Sequence, residues 1–281
     1  MLKQNTPEWL EMRKKYVGAS DAPVIMEESP YKTPYQLWEE KLGLSHQVQN
    51  SSMRRGHDLE DKARDELTKM TGIFFLPQVK FHKTLGWMMA SLDAIDAEGK
   101  HIAEIKCPSK LEHEGAHQGV VPKKYMPQLQ HQMEVCEVDM AIYFSFNGEA
   151  GAIVKVYRDD AYIKSMLEKE KQFFDCMQEF TPPQMISRDY QMLDSDEWWD
   201  LSDRWRMVNE KIKVLEKEEK DIRDLIIIRS QKRNTIGAGI KVTKMVKKGV
   251  VDYSQIPELE GVDLDKYRKD PMECYRISSI K

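Results

Sequence analysis

Ser91-Leu92-Asp93-Ala94-Ile95-Asp96-Ala97-Glu98-Gly99-Lys100-His101-Ile102-Ala103-Glu104-Ile105-Lys106 is the stretch that decides the fold. Ala97-Glu98-Gly99-Lys100 is turn chemistry between two apolar runs, so the stretch predicts two strands joined by a hairpin, the second over 101–107. That hairpin sets Asp93 and Glu104 near one another at the edge of a sheet. Alternation puts Glu104 and Lys106 on one face, and Ser91 on the same face as Asp93. Two close carboxylates repel unless a cation lies between them, and hard oxygen donors select Mg2+ or Mn2+. A lysine beside them can orient or deprotonate a water, or stabilise charge developing on a phosphate. The set fits metal-assisted phosphodiester hydrolysis. The plainer alternative is a hairpin with solvated charges, since E-x-K by itself selects nothing. Glu60, next to apolar Leu59, Ala63 and Leu67, is a third candidate carboxylate or a solvated helix charge.

Working outward, Pro7 to Lys15 reads as a short amphipathic helix. Ser20-Asp21-Ala22-Pro23 offers a second helix start, and Thr33-Pro34 opens a helix over 35–42. A helix over 53–70 ends at Gly72, a natural C-cap. Residues 72–81 read as a strand interrupted by Pro77, and the stretch to Gly119 as a polar connection. A helix over 122–135 precedes two strands, 140–146 and 153–157, whose Asn147-Gly148 favours a type I′ hairpin. A helix over 160–179 stops at Thr181-Pro182-Pro183. The order is mixed α/β: a central sheet flanked by helices over residues 1–184. Residues 185–281 predict a helical arm or hairpin, with Trp205, Val208, Ile212, Leu215, Ile222 and Ile226 at heptad spacing, and then a small β appendage.

The chain has 281 residues, 41% hydrophobic and 32% charged. No apolar run approaches the roughly 18 residues of a membrane span, and the N-terminus has no signal-peptide character. Lys and Arg number 43 against 47 Asp and Glu, a net charge of −4, which excludes a globally basic coat for nucleic acid. Cys107, Cys136, Cys176 and Cys274 are scattered, forming neither a zinc knuckle nor a disulfide framework. The expectation is a reduced, cytoplasmic protein.

Four blocks in register carry a resemblance: Trp9, Arg13 and Gly18-Ala19-Ser20; Arg55-Gly56 with Leu59-Glu60 and Ala63; Ser91-Leu92-Asp93 with Glu104-Ile105-Lys106-Cys107-Pro108; and Tyr125-Met126-Pro127-Gln128-Leu129-Gln130. Over roughly 7–146 the chain resembles the lambda-exonuclease and YqaJ-type viral recombinase branch of the PD-(D/E)XK nuclease superfamily. The resemblance implies a restriction-endonuclease-like core. It implies that Asp93 and Glu104 ligate Mg2+ (Mn2+ as substitute) with the Ile105 carbonyl, and that Glu60 lies near a second ion. Lys106 would position or activate the attacking water, and Gln128 would hold that water or the scissile phosphate. Arg13, Ser20 and Ser91 match positions that grip a terminal 5′-phosphate. Such enzymes digest linear double-stranded DNA 5′ to 3′ as ring-shaped homo-oligomers, here expected as trimers. They leave a 3′ overhang for a single-strand annealing protein, in the cytoplasm of a bacterium carrying the phage or prophage. The chain departs in two places: Leu92 replaces a proline that supplies no ligand, and Glu112 replaces a phosphate-binding arginine, with Lys110 as the nearby substitute.

Two other readings have a footing. His113-Glu114-Gly115-Ala116-His117 spells H-E-x-x-H, the signature of zinc metallopeptidases, with Glu137 at a permissible distance for a third ligand. Such a motif needs a buried helix, and the polar flanks, Gly115 and Gly119 argue against one, so these histidines are not expected to ligate zinc. A non-catalytic DNA-binding or assembly protein would use Trp198-Trp199 and the charged arm. CRISPR-associated iron–sulfur nucleases share the catalytic trio but need four clustered cysteines, which this chain lacks.

Overall fold

A computed structural model of the chain describes residues 4, 6–45, 51–259, 261–262, 264–267 and 269. The connection 46–50, Cys274 and the end of the tail lie outside them. The chain divides into two compact units, Met1–Gln191 and Met192–Lys281.

Local chemistry starts and stops the helices of the first unit. In α1 (Pro7–Lys15) the Thr6 hydroxyl accepts the Trp9 N–H, and Pro7 occupies the first turn, where no N–H is needed. After β1 (Val17–Gly18) and the single-turn α2 (Ala22–Ile25), Thr33 and Gln36 form a reciprocal capping box on α3 (Pro34–Lys41). Helix α4 (Ser51–Thr71) ends at Gly72, whose φ of +71° suits a residue without Cβ.

Strands β2 (Leu76–Phe81), β3 (Met88–Ile95) and β4 (Ile102–Lys106) follow, with Gly99 at φ +73° in the β3–β4 turn. Then come α5 (Lys110–His117), a 3-10 turn at Lys123–Tyr125, α6 (Met126–Cys136), β5 (Met140–Phe146), β6 (Gly151–Tyr157) and α7 (Asp160–Gln178). The sheet runs β1-β3-β4-β5-β6, with β2 also paired to β3; β1–β3 and β4–β5 are parallel and the other pairs antiparallel. One face, with Leu92, Ile102 and Tyr143, packs on Leu129 and Met133 of α6 and Phe173 of α7. The other, with Ala103, Ile105 and Phe144, packs on Ala63 and Leu67 of α4. The expected mixed sheet between helical layers is the observed fold.

Three details differ from the sequence expectation. Strand β2 begins at Leu76, and Pro77 is tolerated inside it because, among the described residues, β2 pairs with β3 alone and shifts register there. The polar connection before Gly119 is the helix α5, capped by Ser109 and buried through His113 and Ala116. The turn at 147–150 is an Asx turn in which the Asn147 carbonyl accepts the N–H groups of Glu149 and Ala150. Gly148 has φ +105° while Asn147 and Glu149 stay negative, so only one of the two positive angles of a type I′ turn is present. In the second unit, α8 (Asp196–Arg229) is one continuous helix of 34 residues, the arm of the two expected alternatives. The β appendage there is β7 (Thr235–Gly237) against β8 (Ile240–Val242), turned through Ala238 and Gly239 at φ +46° and +77°. No described helix is long and apolar enough to cross a membrane.

A Cβ on Gly151 would lie 2.3 Å from the Phe144 ring and 3.1 Å from the Met70 sulfur. Gly151→Ala should therefore cost about 1–3 kcal/mol by overpacking, read as a lowered urea midpoint with an unchanged slope.

Candidate active site

The β3–β4 ladder pairs Ile95 with Ile102 and Ala94 with Ala103, and there it stops. The next register position sets Asp93 opposite Glu104. On its other side β3 carries one extra residue: Leu76 pairs with Ile95 but Gln78 with Leu92. This bulge falls at Asp93 and Ala94. Ser91 accepts the Trp9 indole N–H at 2.8 Å, in line with Met89, which packs on Trp9. Asp93 turns towards β4, and its Oδ2 accepts the Ile105 N–H at 3.0 Å, replacing the missing ladder acceptor. Arg64 Nε of α4 donates to the Asp93 carbonyl at 2.7 Å.

Glu104 is 1% exposed. Its Oε1 accepts from Gln128 Nε2 at 2.7 Å and from Lys106 Nζ, and its Oε2 accepts from Gln132 Nε2. Gln132 was missed in the sequence. It lies one helical turn beyond Gln128, a spacing that puts both amides on one face of α6. Burial, then the Glu104 charge, push the Asp93 carboxyl well above its ordinary range; Glu60 adds to the rise and Lys106 opposes it. Burial pulls Lys106 down, but Glu104 and Asp93 overcome it and hold the ammonium above its usual value. A lysine so held keeps its proton at neutral pH and acts here as a cation. Its Nζ lies 5.3 Å from the Tyr125 ring centroid.

Glu60 reaches this region through Arg64, which pairs with Glu60 and with Asp61 at 2.7 Å each while binding the Asp93 carbonyl. Among the described residues no three His, Cys, Asp or Glu side chains converge as a ligand group. Asp93 and Glu104 alone, two hard oxygen donors repelling across a splayed ladder, fit Mg2+, which takes one or two carboxylates and keeps several waters.

Arg13 and Ser20 come together as expected: Arg13 donates to the Ser20 hydroxyl at 2.8 Å and lies 4.9 Å over the Trp9 ring, whose indole holds Ser91. The arrangement rests on Lys41, also missed in the sequence. Buried at 7% exposure, it pairs with Asp21 at 2.5 Å and donates to the carbonyls of Arg13 and Tyr16. Lys110 is not gathered with this set: its side chain is 91% exposed, with Glu114 3.8 Å away. Lys124 occupies the more useful place, paired with Glu112 at 2.7 Å and 5.0 Å from the Tyr125 centroid.

The H-E-x-x-H segment is helical, contrary to expectation. Ser109 caps it despite Gly115, and His113 and His117 stand one turn apart with Nε2 atoms 3.3 Å apart. Peptidase machinery does not assemble around them: Glu137 ends α6 in a left-handed conformation and pairs with Lys83.

Residues 8–139 match the model of the YqaJ-like viral recombinase domain. The chain is similar to protein YqaJ of Bacillus subtilis (strain 168), 27% identical over 175 residues, covering 60% of this chain and 55% of that protein. It thus spans about half the length of the curated relative it matches. Among solved structures, the alkaline exonuclease LHK-Exo of Laribacter hongkongensis superposes with a TM-score of 0.55 at 24% identity, covering 63% of this chain and 94% of that one. LHK-Exo in complex with dAMP superposes with the same TM-score and coverage at 25% identity.

Because Asp93 is raised above its unfolded value, ionising it costs folding energy: the stability present below the unfolded pKa is lost as pH rises through the folded one. In EDTA at pH 7–8, Asp93→Asn should melt above the wild type, and the gap should close as pH falls towards 4. A variant that melts lower throughout would mean that the carboxylate is not under electrostatic strain.

Proposed function

We propose, from the match of residues 8–139 to the YqaJ-like viral recombinase domain, a Mg2+-dependent exonuclease that digests linear double-stranded DNA 5′ to 3′. The observation that carries the reading is the convergence of Asp93, Glu104 and Lys106 where the β3–β4 ladder opens. Asp93 and Glu104 would hold the ion, with Mn2+ as substitute and a second position towards Glu60. Bound there, the ion would polarise the scissile phosphate and lower the pKa of an attacking water. Lys106, protonated, offsets charge developing on the phosphate oxygens. Gln128 and Gln132 fix the Glu104 carboxylate, so its orientation precedes substrate binding. That assigns Gln128 to positioning a ligand rather than to holding water. The exonuclease named in the superposed structure supports this class of reaction.

Polarity follows from Arg13 and Ser20, which offer a charge-assisted pair and a hydroxyl to a terminal phosphate, a group with nearly twice the charge of an internal diester. The product would be a 3′ overhang, the substrate of a single-strand annealing protein. The net charge of −4 gives little general attraction for a polyanion. Sustained digestion then calls for enclosure of the duplex, as in a ring of three chains.

With linear duplexes and Mg2+, Asp93→Ala or Lys106→Ala should lower the rate by roughly 10³-fold or more while DNA binding survives, and EDTA should abolish wild-type activity. Wild-type rates from Asp93→Ala would remove the assignment.

On matched ends, 5′-phosphate should be preferred over 5′-hydroxyl by about tenfold, or about 1.4 kcal/mol. Arg13→Ala should erase most of that preference. Equal rates on both ends, or digestion from the 3′ end, would overturn the polarity and leave the nuclease reading standing.

A further inference from the structure

We infer that His113 and His117 form a two-imidazole site for a borderline transition ion such as Zn2+, Ni2+ or Cu2+, with a donor set distinct from that of the carboxylate centre. The two rings lie at i and i+4 on α5, and their Nε2 atoms are 3.3 Å apart with the rings at 83° to each other. Two nitrogens bound at 2.0–2.1 Å to one ion in tetrahedral geometry stand about 3.3–3.4 Å apart. The helix therefore already holds the pair at a ligating separation. As a hydrogen bond the same contact is long for nitrogen donors.

The surroundings support a ligand role. His113 is 6% exposed, and its Nδ1 lies 2.8 Å from the Ser145 hydroxyl on β5. With the serine oxygen accepting, Nδ1 carries the proton and Nε2 presents its lone pair towards His117. A hydrogen bond to the far nitrogen is how ligating histidines are usually oriented. His117 is exposed, so an ion reaches the pair from solvent. Glu114 lies 3.8 Å from Lys110, and no third acidic, cysteine or histidine ligand joins the pair among the described residues. The remaining positions would be taken by water, which distinguishes this site from a peptidase centre. Imidazole nitrogens suit Zn2+, Ni2+ and Cu2+, whereas Mg2+ keeps to oxygen donors, so the two donor sets sort their ions by chemistry.

The test uses the untagged full-length chain, stripped with EDTA and dialysed, with Zn2+ titrated calorimetrically in excess Mg2+. One Zn2+ per chain should bind in the wild type and in Asp93→Asn. His117→Ala, at an exposed position, should weaken binding by about tenfold or more. Ser145→Ala, which keeps both rings, should weaken it less. Cu2+ should give a visible absorption band with nitrogen ligation in the wild type that His117→Ala loses. No binding in the wild type, equal affinity in His117→Ala, or loss of the site in Asp93→Asn or on adding Mg2+ would overturn the inference. The exonuclease reading would be untouched by any of these results.

Discussion

A carboxylate with 1% exposure has to be met by donors or lose its charge, and Glu104 imposes that condition on the first unit. Lys106 comes from its own strand, two residues on. Gln128 and Gln132 come from α6, so α6 must lie across the end of β4 with that face turned inward. Removing one partner from such a buried charge typically costs about 3–5 kcal/mol, more than most single contacts in a core contribute. The rest of α6 follows: residues 127–133 are all buried, and each polar one among them finds a partner. Gln130 donates to the Tyr157 carbonyl and accepts from the Asp159 N–H. His131 reaches Glu170 on α7 with one nitrogen and the Met89 carbonyl of β3 with the other. Both nitrogens face acceptors, so the ring carries both protons; Glu170 raises its pKa against the pull of burial. One helix thereby ties β4, β3, β6 and α7 together around a single acidic side chain.

The site lies where regular structure fails. Had the β3–β4 ladder continued, the Ile105 N–H would have gone to a backbone carbonyl. The extra residue in β3 lies where the ladder stops: the Asp93 side chain takes the Ile105 N–H, and the Asp93 carbonyl goes to Arg64, which also pairs with Glu60 of α4. The strain in the pair is electrostatic, two carboxylates and a buried location, and the conformational regularity of the sheet is lost over one register position only.

What could be read in advance was what depends on period and local chemistry. Alternation and Gly99 reveal the hairpin, Thr33-Pro34 and Gly72 the helix ends, and the spacing of Asp93, Glu104 and Lys106 the shared site. The bulge was not legible, because Asp93 and Ala94 fit a regular strand as well as an irregular one and the choice is made by pairing with β2. Helix α5 was hidden by Gly115 and its polar flanks; burial of His113 and Ala116 against the sheet outweighs a propensity cost of about 1 kcal/mol. Gln132 and Lys41 looked like ordinary helix residues, since a polar side chain gives no sign in sequence that it will be buried against a charge. Lys110 is the lysine nearest to Glu112 along the chain, whereas the 3-10 turn at Lys123–Tyr125 brings Lys124 back beside Tyr125 and Glu112.

The N-terminal cluster shows why Arg13 has charge to offer. Asp21 is held ionised by Lys41 and Arg13 against the cost of its burial, and it also accepts the Gly18 N–H. Lys41 is buried and spends its donors on Asp21 and two carbonyls, so one full positive charge already balances the aspartate. Arg13 stands farther off, 3.9 Å from Asp21, with its side chain about a third exposed. Counting Asp21, Lys41 and Arg13, the cluster carries one net positive charge, and the group nearest solvent carries it. A guanidinium stacked on Trp9 and bonded to Ser20 is preorganised, so less rotamer entropy is lost when an anion arrives. Were Lys41 neutral, Arg13 would be drawn in to balance Asp21 and its surplus charge would vanish. The buried pair therefore leaves the exposed arginine its charge, as the proposed phosphate contact requires, although Lys41 itself is too deep to touch an anion.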